Sequence, residues 1–112
     1  MRNNKVMLIG QISRDMKTFD RNGKEVAISS IIIFSKSKDE MGRSHSRAKS
    51  FILYFPDHID SFLKVCQKGS IVKIEGILDF KNFNIKGEKT PTVVVTVDRV
   101  CSYGKSDYLI NC

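Results

Sequence analysis

Two stretches of this chain are rich in cations, and one of them interleaves the cations with aromatic rings, a mixture better suited to holding a flexible polyanion than to catalysing a reaction. In "DFKNFNIKGEK", Asp79 to Lys89, the lysines Lys81, Lys86 and Lys89 surround Phe80, Phe83 and Ile85. In "SKDEMGRSHSRAKS", Ser37 to Ser50, and the residue before it, Lys36, Lys38, Arg43, Arg47 and Lys49 outnumber Asp39 and Glu40. A single nucleic-acid strand asks a protein for these two ingredients. Cations follow its phosphates, and flat rings accept its unstacked bases at about 1–3 kcal/mol per stack. Phe83 is the candidate platform in the first stretch, although a ring folded back over the end of a core fits that position equally well. Phe80 belongs to the opposite parity and is expected in the core.

Nothing comparable points to catalysis. The chain has no GxGxxG, GxxxxGK[ST], HExxH or GxSxG motif. Its two histidines, His45 and His58, lie in polar or helix-start positions without an evident base partner, so no enzyme is expected. Cys66, Cys101 and Cys112 are odd in number and far apart. They argue against a disulfide framework and offer no metal-ligand spacing, so neither a metal nor a cofactor is expected.

With 112 residues the chain is sized for one domain, and the charge of +7, from 19 basic against 12 acidic residues, favours a polyanionic partner. The longest apolar run, Val26 to Ser35, is about half a bilayer span, and no signal-peptide pattern opens the chain. A cytoplasmic protein without membrane contact is expected.

Five strands and one helix would have to position these residues. "KVMLIGQIS", Lys5 to Ser13, reads as a first strand with Gly10 at a bulge or bend, and Asn22-Gly23 signals a hairpin turn. "VAISSIIIFSK", Val26 to Lys36, reads as a second strand whose isoleucine run suggests burial on both faces or a subunit contact. Ser37 to Ser50 reads as a mobile loop and Phe51 to Phe55 as a third strand. Asp57 then caps a short helix, with Ile59, Phe62, Leu63 and Cys66 on one face and Gly69 as its stop. In "SIVKIEGILDF", Val72, Ile74, Gly76, Leu78 and Phe80 share one face, and Thr92 to Ser102 is a β-branched last strand. A helix between the third and fourth of five strands fits the mainly all-β OB-fold, a Greek-key barrel; an α+β sandwich is the competing arrangement. The domain is expected to occupy residues 1–104, followed by a short extension, 105–112, without an acidic tail.

Four segments carry a family resemblance: "NNKVMLIGQISRD", "NGKEVAISSIIIFS", "LKVCQKGSIVKIEGILDFKNF" and "TVVVTVDRV". Together they resemble the bacterial single-stranded DNA-binding proteins (SSB) over roughly Asn4 to Tyr103, with "KGSIVKIEG", Lys68 to Gly76, the most specific part. The resemblance implies sequence-independent binding of single-stranded DNA in replication, recombination or repair. It also implies a homo-oligomer, with a tetramer favoured over a dimer and first strands paired. By position, Phe83 stands where the family usually has a tryptophan and Phe55 where it has a phenylalanine. The other customary tryptophan positions fall near Ser37 and Lys49, and Asp79 replaces a basic residue. Phe34, Tyr54 and the loop cations, Lys36, Lys38, Lys49, Lys81, Lys86 and Lys89 with Arg43 and Arg47, complete the expected binding set. The alternative is an OB-fold adaptor similar to the primosomal protein PriB, which would act mainly on replication or primosome proteins.

Overall fold

The computed structural model describes residues 4–103 and 109–110. Its elements are β1 (Val6–Arg21), β2 (Lys24–Lys38), β3 (Ser44–Phe55), α1 (Ile59–Leu63), β4 (Ile71–Ile85), β5 (Glu88–Tyr103) and the short β6 (Leu109–Ile110). The strands are hydrogen-bonded in the order β3-β2-β1-β4-β5-β6, and a parallel contact between β3 and β5, Leu53 opposite Val95, closes five of them into a barrel. This is the expected OB-fold, with one helix between β3 and β4. The expected C-terminal extension lies outside the described residues except at β6, which pairs with Ser102 and Tyr103 of β5.

The barrel interior follows from period-two alternation. Ala27 and Ile31 of β2, Leu53 and Phe55 of β3, Val72 and Ile74 of β4, and Val95 and Val97 of β5 form one buried cluster. Ile59, Phe62 and Cys66 from the helix region pack on it, with the Phe62 ring 5.3 Å from that of Phe55. Burial pushes the free Cys66 thiol up to about 12. Cys101 is also buried and is disulfide-bonded, which corrects the expectation that the cysteines form no disulfide.

The helix begins differently from expectation. His58, in a left-handed conformation at φ 57°, occupies the cap position, and Asp57 instead accepts a hydrogen bond from Lys24 at 2.6 Å. Because His58 rather than Asp57 is at the cap position, the Asp57 carboxylate lies one residue outside the helix start and pairs with the lysine. Gly10 does not bulge. It pairs regularly with Val72, and a Cβ there would lie 2.3 Å from the Ile32 carbonyl oxygen, so glycine permits close backbone approach.

The polar segment Ser37 to Ser50 is not a loop. β2 and β3 continue as a ladder out to Lys38 opposite Ser44. The turn is fixed by Asp39, whose Oδ1 accepts the Met41 and Arg43 amides, and by Gly42 at φ 77°. Backbone pairing in a hairpin does not need burial once the turn chemistry is supplied.

Candidate nucleic-acid interface

Three hairpins project from the barrel, and their turns explain how the site is held. Asn22-Gly23 joins β1 to β2 and Lys86-Gly87 joins β4 to β5, both with positive φ at both positions, as two-residue hairpin turns require. Between these two tips lies an open groove of about 730 Å³. Phe19 and Arg21 form one wall, Phe83, Lys89 and Thr92 the other, and Ile28 with Ile52 the floor. A smaller hollow of about 250 Å³ shares that floor and runs on to Arg14, Lys17 and Ser50.

The register assigns each side chain to a face. Tyr54 is opposite Ile28, Ile52 opposite Ser30, Ala48 opposite Phe34 and Ser46 opposite Lys36, so these share the groove side of the sheet. Phe34 is 64% exposed there, with Lys36 and Lys38 continuing along the same face. Lys49 and Arg47 pair with Ile33 and Ser35 and therefore point to the other side of this hairpin. Arg43 lies in its turn, where the Asp39 carboxyl is lowered mainly by its bond to His45, 3.0 Å away, and then by the Arg43 amide.

Several expected site residues sit elsewhere. Phe55 is 0% exposed and faces the barrel interior, so it offers no ring to a base; one residue of parity separates it from the groove. Tyr54 does face the groove but is only 4% exposed, beneath Arg21 at 5.8 Å and Lys81 at 5.1 Å from its ring centre. Phe83 is half-buried against Val26, Tyr54 and Val94, with an edge contact of 6.3 Å to Phe19 and Arg21 5.7 Å above its ring. Lys86 is in the β4–β5 turn. Asp79, 3.5 Å from Lys81, is ion-paired and does not present a bare negative charge to the groove.

Phe80 keeps the expected parity but not the expected burial: it is 70% exposed, and Leu78 is exposed beside it. Alternation along β4 is intact, but beyond Gly76 the hairpin leaves the barrel, so the face that was interior meets solvent. A break in the β4–β5 register beside Gly76 marks the departure. Arg14, Lys17 and Arg21 were not anticipated. Arg14 and Lys17 differ by an odd number of residues and would oppose each other on a regular strand. Register shifts at Ile12/Arg14 and Arg14/Lys17 turn both toward the groove. Ser29 supports the first shift by donating to the Arg14 carbonyl at 2.9 Å, and the Ser13 and Ser30 hydroxyls are hydrogen-bonded beside it. Only Arg21 had a visible signal, its place before Asn22-Gly23.

A groove with cations on its rim and rings in its walls can stack bases and neutralise phosphates. No cluster of three or more metal-ligating side chains occurs among the described residues, and no described helix is long and apolar enough to cross a membrane. The model of the single-strand binding protein family matches residues 3–103. The chain belongs to the single-strand binding protein family. Among solved structures, it is similar to a Plasmodium falciparum SSB in complex with ssDNA, with a TM-score of 0.77 at 19% identity over 93% of this chain and 97% of that one. A small single-stranded DNA-binding protein from Streptomyces coelicolor gives 0.64 at 10% identity over 88% and 94%. A deletion mutant of the single-stranded DNA binding protein from Thermus aquaticus gives 0.75 at 18% identity, covering 96% of this chain and 54% of that longer one. Comparison with curated protein sequences returns no match. At such identities the structural likeness speaks for the shared fold, and the family match carries the assignment.

Proposed function

We propose that this protein binds single-stranded DNA without reading its sequence and acts by binding alone, covering strands exposed in replication, recombination or repair. The observation that carries the reading is the ring-and-cation groove between the β1–β2 and β4–β5 hairpins of a single-strand binding family chain. Arg14, Lys17, Arg21, Lys36, Lys38 and Lys89 meet phosphates, while Phe34 and the groove-lining Phe83 receive bases. The binding domain extends over residues 1–104. Met7, Ile9 and Ile71, exposed together on the outer side of β1 and β4, support assembly into a homo-oligomer through that sheet.

Titration with oligo-dT at two salt concentrations tests the reading. Tight binding that weakens steeply with salt is expected. Micromolar binding or none, unaffected by salt, would instead favour an adaptor acting through protein contacts.

A further inference from the structure

The β4–β5 hairpin has two faces: Phe83 and Thr92 of one lie in the groove, while Phe80 and Val93 of the other are outside it. Asp79, Lys81 and Phe83 turn toward the groove with Val94, Thr92 and Thr90 opposite them. The other face carries Phe80 opposite Val93, Asn82 opposite Pro91 and Asn84 opposite Lys89. Phe80 and Val93 are exposed there. The hairpin's carboxylates, Asp79 opposite Val94 and Glu88 opposite Ile85, belong to the groove side of the register.

We infer that this outer face is a second base-stacking strip for the same DNA strand, reached around the rim of the hairpin. The inference rests on the single-stranded DNA reading above. An exposed ring, two amides and a cation, with no acidic partner on that face, match a base, its polar edge and a phosphate. A second copy of this chain, carrying +7 itself, is the less complementary occupant. Continuity supports the path: Asn82, Asn84 and Lys89 also line the groove, so the two surfaces meet at the hairpin edge. Phe80 lies three residues from Phe83 on the opposite face, roughly 10 Å along the strand direction. A strand leaving Phe83 can therefore turn over the edge and stack again.

Fluorescence anisotropy with labelled oligo-dT of two lengths tests this: roughly 8 nucleotides, within what one barrel covers, and a strand several times longer. Phe80→Ala is expected to leave the short oligomer's affinity unchanged and to weaken the long one roughly five- to hundredfold, the size of one lost stack. Phe80→Tyr is expected to keep wild-type binding. Equal binding of the long strand by Phe80→Ala and wild type would overturn the second strip and leave the groove reading intact. A shift in oligomeric mass by light scattering, with DNA binding unchanged, would overturn it in favour of a protein contact. Failure of the wild type to bind either length would overturn the groove reading as well.

Discussion

Single side chains separate binding from folding here. Phe34 is exposed and touches no core, so Phe34→Ala should weaken oligo-dT binding by about 1–3 kcal/mol while melting temperature stays within the small range of surface substitutions. Phe55→Ala should do the opposite: it empties part of the main core and costs about 3–5 kcal/mol of stability. Paired thermal melts and DNA titrations distinguish the two. If Phe55→Ala folds as well as the parent yet loses DNA, the interior placement is wrong. The Cys66 thiol gives a further handle. Its folded value, about 12, lies above the ordinary 9.0, so its neutral form stabilises the fold fully below pH 9.0 and that contribution fades as the pH rises toward 12. A thiol-specific reagent near neutral pH should modify Cys66 only through global unfolding, and its rate should rise in parallel with unfolding in urea.

Hairpins and bulges decide where the functional side chains point. The β2–β3 tip depends on Asp39, whose carboxyl is lowered first by the His45 hydrogen bond. A depressed carboxylate stabilises the folded tip above its unfolded-state value, the ordinary 3.8, and the contribution is lost as pH falls through the lower folded value. The Met41 and Arg43 amide resonances should therefore hold through mild acid and shift only below that range, and Asp39→Ala should abolish the transition. The close approaches at Gly10 and Gly76 are equally local. A Cβ at Gly76 would lie 2.1 Å from the Thr96 carbonyl oxygen, which is backbone and cannot swing aside. Gly76→Ala should destabilise the barrel by at least about 1–3 kcal/mol through forced strand separation, measured by urea unfolding.

Across the molecule, binding is an electrostatic sum. For single strands the slope of log affinity against log salt is about −0.7 per neutralised phosphate. Replacing Arg14 and Lys17 together by glutamine should flatten that slope by about 1.4 if both contact phosphates. An unchanged slope would show that the strand bypasses the hollow beside Ser50. The net charge of +7 was visible from the start, but composition alone could not say which cations share a surface.

The order of elements, the Asn22-Gly23 turn, the barrel class and the family were legible in the sequence, because period-two patterning and turn chemistry are local properties. The same local logic failed where tertiary geometry changes what a face meets. Phe80 keeps its parity with Val72 and Ile74, but the hairpin outgrows the barrel at that point, so an interior face becomes an outer surface. Phe55 and Tyr54 are neighbours in sequence, and only barrel closure decides which one turns inward. Two register shifts in β1 gather Arg14 and Lys17 on one side, and no pattern of residue types announces them. The sequence by itself determined that cations are concentrated in two stretches of the chain, one of them interleaved with rings. The tertiary structure alone decided which of them share a groove, because a strand's alternation fixes two sides and only its neighbours determine which side faces water.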